Sequence, residues 1–261
     1  MRLPILAKVL WFAAIAWALA LPKECAAISV DRLTPEEITL VKSILKTLDP
    51  SITERKKQGT APLLTFEELY RPLSSEQAAF LDFIRGINPA DLLGSNRELP
   101  LPSPGEQFVR LNTQVVIRNG KPIRVDTQYL PQRVYEAYVQ MMAEMEQELG
   151  KRLLVESGYR APAYQLYLFV FYLSNHGYSI RETNRFVALP GSSEHGCPVR
   201  QAIDFVTPQG INGEDHPEEF EELQEYGWLR ARAAEFGFYL SYPRGIPSAF
   251  EPWHWHFEER S

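Results

Sequence analysis

Near the C-terminus, Glu251-Pro252-Trp253-His254-Trp255-His256 sets a carboxylate three residues before a histidine, with aromatic residues interleaved. Upstream, Ser193-Glu194-His195 is followed by Asp204. Two histidines, an aspartate and a separate glutamate are the components of a hydrolytic zinc site. Such sites commonly take three protein ligands and keep one position for water. His195, Asp204 and His254 are the candidate ligands, and Glu251 is the candidate general base. Two neutral imidazoles and one carboxylate leave a Zn2+ site with a net charge of about +1, which draws the pKa of bound water towards about 7 and polarises a carbonyl. A nearby carboxylate must then take the water's proton and pass it to the leaving amine. Periodicity alone does not set this geometry. In an ideal strand His254 and His256 share a face and Glu251 takes the other, and Pro252 disfavours a helix that would align Glu251 with His254. A turn or bulge at Pro252 is required.

The remaining histidines read differently. His256 lies two residues from a candidate ligand, and spacing alone leaves its role open. His176 ends an apolar helix, and His216 sits with Glu214 and Asp215 in a polar loop, solvated or acting as a lid. Cys197 is read as a loop residue, and Trp253 and Trp255 as packing residues.

These groups need a scaffold. The chain has 261 residues, 45% of them hydrophobic, enough for one core or a domain with a smaller N-terminal subdomain. A net charge of −6 with no basic stripe excludes nucleic acid as the expected partner. Arg2 and Lys8 precede an uninterrupted apolar run from Val9 to Leu21. The run is short for a membrane span, which takes about 20 residues, and suits a signal peptide over residues 1–27. The chain is therefore expected to be exported, to a periplasmic or other extracytoplasmic location, with a retained membrane anchor as the alternative. Cleavage after Ala27 would remove Cys25 and leave Cys197 alone, so no disulfide is implied.

Residues 28–105 read as a helical region ending in a Pro-rich linker, and residues 106–261 as the catalytic domain. Thr34-Pro35-Glu36-Glu37 starts a helix that Asp49-Pro50 should stop, leaving 51–62 as loop. A second helix from Ser74-Ser75-Glu76 should bury Ala79, Phe80 and Phe83. Asn119-Gly120 marks a hairpin. Pro131 opens a helix with Val134, Tyr138, Met141, Met145 and Leu149 on one face, closed by Gly150. Ala163 to His176 is apolar nearly all round, as in a central helix. Short strands at 152–156 and 238–241, and a helix at 226–236, complete the reading. The irregular alternation and the antiparallel hairpin give an α+β fold: a small antiparallel sheet flanked by helices, preceded by a mainly helical region.

Ser157-Gly158-Tyr159-Arg160 with Gln165, then Pro190-Gly191-Ser192-Ser193-Glu194-His195 to Asp204, then Glu251-Pro252-Trp253-His254 resemble the VanY-like zinc D,D-carboxypeptidases, which cut peptidoglycan peptides and stand beside the D-Ala-D-Ala dipeptidases. Tyr226-Gly227-Trp228-Leu229 and Phe236-Gly237-Phe238 through Tyr242-Pro243 fit the segment between the motifs. The resemblance spans 106–258. It implies zinc on His195, Asp204 and His254, Glu251 as base, and Arg160 on the oxyanion or substrate. It also implies substrate contacts from Ser193 and Gln165, and peptidoglycan peptides as substrate. Alternatives are an endopeptidase, a dipeptidase, or a non-catalytic wall-binding module stapled by zinc. The family spaces its aspartate seven residues after the histidine. Here the spacing is nine, with Arg200 in place of the motif's glycine. A loop that bulges outward preserves the ligands, whereas one that turns inward reshapes the substrate pocket.

Overall fold

The computed structural model describes residues 28–93, 99–100, 102, 105–246 and 250–259. The signal or anchor segment, residues 1–27, lies outside the described residues, as do Leu101, Ser103 and Pro104 of the Pro-rich stretch. Among the described residues no helix is long and apolar enough to cross a membrane.

Helix α1 (Pro35–Gln58) opens on a capping box. The Thr34 hydroxyl accepts the Glu37 N–H, and the Glu37 carboxylate accepts the Thr34 N–H. The helix does not stop at Asp49-Pro50 but continues through Pro50 and ends on Gly59, at φ 70°. A proline inside a helix removes one backbone hydrogen bond and crowds the preceding turn, costing about 3 kcal/mol. Burial overrides this local signal. Ile52 extends the buried stripe of Val41, Ile44 and Leu48, and Arg55, Lys56 and Lys57 suit the negative helix end. Helices α2 (Phe66–Tyr70) and α3 (Ser75–Arg85) also start on capping boxes, at Thr65 and Ser74. The buried face of α3 is Gln77, Phe80, Leu81 and Ile84, while Ala79 is exposed and Phe83 half-buried, unlike the expected face. The Gln77 amide explains the rotation, since it donates to the Ser43 and Thr47 hydroxyls on α1. A short α4 (Pro89–Leu93) follows.

Strands β1 (Phe108–Leu111) and β4 (Gln128–Pro131) pair antiparallel. Between them β2 (Val115–Arg118) and β3 (Lys121–Arg124) form the expected hairpin, with Asn119 and Gly120 both at positive φ, 52° and 71°. Helix α5 (Gln132–Leu149) begins after Pro131, buries Val134, Tyr138, Met141, Met142 and Met145, and closes on left-handed Gly150. The central sheet has the order β5 (Leu154–Ser157), β6 (Ala202–Val206), β8 (His254–Phe257), β7 (Phe238–Leu240), all antiparallel. Helix α6 (Pro162–Tyr172) runs on into a 3-10 turn over Leu173–His176 and stops at Gly177. Helix α7 (Ile180–Thr183), α8 (Pro217–Glu221) and α9 (Gln224–Arg232), the last running on into a 3-10 turn over Ala233–Phe236, complete the described α-helices. The α+β class is as the sequence reading has it.

Two cores result. One joins α1–α4 to α6 and α7 through Ile44, Leu81, Ile84, Leu166 and Phe169. The other lies between the central sheet and helices α5 and α9. Alternation along β6 and β8 points Ile203, Phe205, Trp255 and Phe257 into this second core. The intervening residues Ala202, Asp204, His254 and His256 take the other face. That face carries the site.

Candidate metal centre

Asp204 on β6 stands directly opposite His254 on β8. Directly opposed residues present their side chains to the same face within contact distance, and the Asp204 Oδ1 to His254 Nδ1 distance is 2.8 Å. His195 arrives from a 3-10 turn, Glu194–Gly196, tied down by the Arg160 N–H donating to the His195 carbonyl at 3.0 Å. Its Nε2 lies 3.1 Å from Asp204 Oδ2. One ligand atom from each of the three residues lies within 4.8 Å of the other two.

Both imidazoles are anchored by their outer nitrogens. His195 Nδ1 donates to the Gly158 carbonyl at 2.7 Å, and His254 Nε2 donates to Glu194 Oε2 at 3.1 Å. Each ring thereby turns its other nitrogen towards Asp204, and metal-bound histidines are oriented in the same way. Two imidazole lone pairs facing one carboxylate repel it unless a cation or a proton lies between them. This donor set, two nitrogens and one carboxylate with outer partners in place, fits a divalent metal of the zinc type. Burial alone would lower the His254 pKa, but the Asp204 charge and hydrogen bonds to Asp204 and Glu194 raise it to about 10. Burial, helped by the nearby Arg160 charge, lowers His195 to about 4 and keeps it neutral. Burial also acts against the Asp204 charge, yet its two imidazole neighbours hold that carboxyl far below the ordinary range.

Glu251 reaches the site through a turn at Pro252-Trp253. The His254 N–H donates to the Glu251 carbonyl at 3.2 Å, and Glu251 N–H donates to the Tyr242 carbonyl at 3.1 Å. The turn cancels the strand alternation that would have sent Glu251 to the opposite face. Glu251 Oε2 then lies 3.8 Å from His254 Nδ1. Burial, with the Asp204 and Glu194 charges, pushes the Glu251 carboxyl up to about 7 against the opposing pull of His254 and Arg160.

All seven sequence-predicted residues line one cleft of about 620 Å³. Arg160 is on its wall, and its buried Nε has no hydrogen-bond partner among the described residues. Gln165, on α6, donates its amide to the Ala188 carbonyl at 2.7 Å, while its buried Oε1 has no such partner. Ser193 is buried immediately before the Glu194–Gly196 turn. The other histidines stay off the cluster: His176 stacks on Phe186 with ring centres 4.7 Å apart, and His216 is exposed. His256 lies behind Glu194, its Nδ1 2.7 Å from the Ser241 hydroxyl. Cys197 is buried, its thiol pushed up by that burial, and is not among the clustered donors.

Several contributors were not visible in the sequence. Glu194 is flanked by Ser193 and His195, but nothing in its spacing showed that it holds His254. Burial would raise its pKa, yet hydrogen bonds from His254, Ser241 and Arg200 outweigh this and keep the carboxylate well below its ordinary range. A second chamber of about 220 Å³ adjoins the cleft at Arg160, Leu168 and Tyr172, and Lys56 and Pro62 of the N-terminal region form part of its wall. That wall is fixed by the Ala161 N–H donating to the Pro62 carbonyl at 2.8 Å, and by the Tyr129 hydroxyl donating to the Gly59 carbonyl at 2.9 Å. Glu214 faces the cleft, a role the polar reading of its loop had left between solvation and a lid.

A family model described as VanY, D-alanyl-D-alanine carboxypeptidase, matches residues 127–260, just over half of the chain. The chain belongs to the VanY family. The match begins at Thr127, so the VanY-family segment holds every residue of the cluster, and the helical region before it lies outside the match. YodJ of Bacillus subtilis (strain 168), which is named as a carboxypeptidase, is 28% identical over 135 residues. That alignment takes in 50% of this chain and 47% of YodJ, so the chain spans about half the length of the curated relative it matches. Among solved structures, the LdcB LD-carboxypeptidase is 23% identical, with 60% of this chain and 69% of that one covered at a TM-score of 0.43. The D,D-pentapeptidase VanY of the VanB-type resistance cassette, solved as a mutant in complex with Zn(II), is 22% identical. Its comparison covers 63% of this chain and 85% of that one at a TM-score of 0.42.

Proposed function

We propose that the chain is a zinc-dependent D,D-carboxypeptidase that removes the terminal D-alanine of peptidoglycan stem peptides. One observation carries this reading: the donor atoms of His195, Asp204 and His254 converge beside Glu251, in a cleft that Arg160 also lines. His195, Asp204 and His254 would hold the zinc, which when bound supplies Lewis-acid polarisation of a carbonyl and of water. Glu251 accepts a proton from the attacking water and returns it to the departing amine of alanine. Zinc beside it would draw that carboxyl down from about 7, leaving an ionised base for the first half of the task. Arg160 offers charge and donors to the developing oxyanion or to the peptide's terminal carboxylate. Ser193 and Gln165 contact the peptide, with Gln165 Oε1 as an acceptor for a substrate N–H.

In this reading residues 28–105 extend the substrate cleft as well as packing, with Lys56 and Pro62 in the wall beside Arg160. The apolar run Val9–Leu21 supports an exported protein, with or without a retained anchor. The test is mass spectrometry of an acylated pentapeptide ending in D-Ala-D-Ala after incubation with the zinc-loaded protein. Loss of one alanine is expected. Loss of a dipeptide would replace this reading with a dipeptidase, and an internal cut with an endopeptidase. An intact peptide in the presence of bound zinc would point to a non-catalytic wall-binding module.

A further inference from the structure

The stretch between His195 and Asp204, two residues longer than the family pattern, winds into two 3-10 turns, Glu194–Gly196 and Pro198–Arg200, before β6. It bulges outward: the cleft wall passes from His195 directly to Asp204, with nothing from 196–203 facing it. The bulge is held from outside by Arg133 donating to the Pro198 carbonyl at 3.0 Å, and from inside by the buried Gln201 amide donating to the Ala202 carbonyl at 2.8 Å. The extra length therefore does not reshape the substrate pocket.

What it does is bring Arg200 back under the site. Arg200 Nε donates to Glu194 Oε1 at 2.8 Å, and its guanidinium also pairs with Glu258 and lies 3.3 Å from His256 Nδ1. The other oxygen of the same carboxylate, Glu194 Oε2, accepts from His254 Nε2 at 3.1 Å and from the Ser241 hydroxyl at 2.5 Å. The side chain of Glu194 is 1% exposed. A buried carboxylate is tolerated only with charge and hydrogen-bond compensation, and the planar, fork-like guanidinium also fixes the plane of its partner.

We propose that Arg200 is a positioning residue for the metal: through Glu194 it sets the orientation of the His254 ring and so the affinity of the site for zinc. This rests on the zinc reading above. Arg200 touches neither the donor cluster nor the cleft. Partners one layer out from a metal typically alter its affinity by 10–100-fold, and that is the expected loss on Arg200→Ala.

The experiment is the Zn2+ dissociation constant, by competition with a chromogenic chelator at fixed pH and salt, for the full chain and its variants. Arg200→Ala should bind zinc on the order of 10–100-fold more weakly, and Arg200→Lys should recover part of the loss. Val199→Ala, on the exposed side of the same turn, should match wild type. With zinc saturating, Arg200→Ala should lower kcat and leave KM within about twofold, because nothing from 196–203 lines the cleft. Should Arg200→Ala not fold, Arg200→Gln keeps most of the side-chain stem without the charge, and the same loss is expected. Wild-type affinity in both Arg200→Ala and Arg200→Gln, or a loss just as large in Val199→Ala, overturns the proposal. A wild-type chain that takes up no zinc at all overturns the zinc reading itself, which is a different result.

Discussion

Zinc uptake at neutral pH should release at least one proton, the first from His254 and a further share from Glu251. His254 Nδ1 and Asp204 Oδ1 are 2.8 Å apart, at the place a metal would take. Asp204, with the hydrogen bond to Glu194, raises His254 to about 10. His195, lowered to about 4, is already neutral at pH 7 and has no proton to give. A metal must therefore displace the His254 proton at any pH below about 10. Apparent affinity should rise about tenfold for each pH unit from 8 to 9, or about 1.4 kcal/mol per unit, more steeply near 7 where Glu251 also gives up a proton, and level off near the His254 pKa. The sign follows from linkage. A base whose folded pKa is raised contributes stability below its unfolded value, and that stability is lost as pH rises through the folded value. The metal-free chain should therefore lose stability between about 6.5 and 10, whereas the zinc-loaded chain should not. Calorimetric titration of zinc in buffers of different ionisation enthalpy counts the protons released. A count near zero at pH 7, with affinity independent of pH, would refute the proton-for-metal exchange.

Glu251→Gln should retain zinc and lower kcat by on the order of 10²–10⁴-fold, as read by steady-state kinetics beside metal analysis. In wild type the acid limb of the kcat/KM profile should fall below pH 7, because the carboxyl pushed up to about 7 is drawn down once a metal cation sits beside it. This limb should vanish in the residual activity of Glu251→Gln. Gly59→Ala should destabilise the fold by at least about 1–2 kcal/mol, seen as a lower denaturant midpoint. Gly59 has φ +70°, and a Cβ there would overlap the Thr127 side chain.

Much of the fold was legible because local chemistry and packing agree there. The Thr34 capping box, the Asn119-Gly120 turn and the left-handed glycines 150, 177 and 237 each encode a boundary in one or two residues. Pro50 misled because burial of Ile52, seen only once the first core is assembled, outweighs a helix-breaking residue. The face of α3 turned because Gln77 binds hydroxyls on another helix, about thirty residues away. At the site, residue types and motif order were enough to single out His195, Asp204, His254 and Glu251, and the turn at Pro252 was required before it was seen. Their supports were not legible. Glu194 holding His254 and Arg200 holding Glu194 are contacts between segments sixty and six residues apart, and no periodicity encodes them. The same holds for Lys56, which reaches the wall of the adjoining chamber only because α1 runs past its proline.

The most direct measurement is anomalous diffraction at the zinc edge from a crystal of the zinc-loaded chain. The expected result is a single peak bonded to His195 Nε2, an Asp204 oxygen and His254 Nδ1, at about 2.0–2.2 Å from each, with Glu251 beside it and unbonded. A peak held by other residues, by Cys197 or by His256 in place of His254, or no peak after loading, would contradict it.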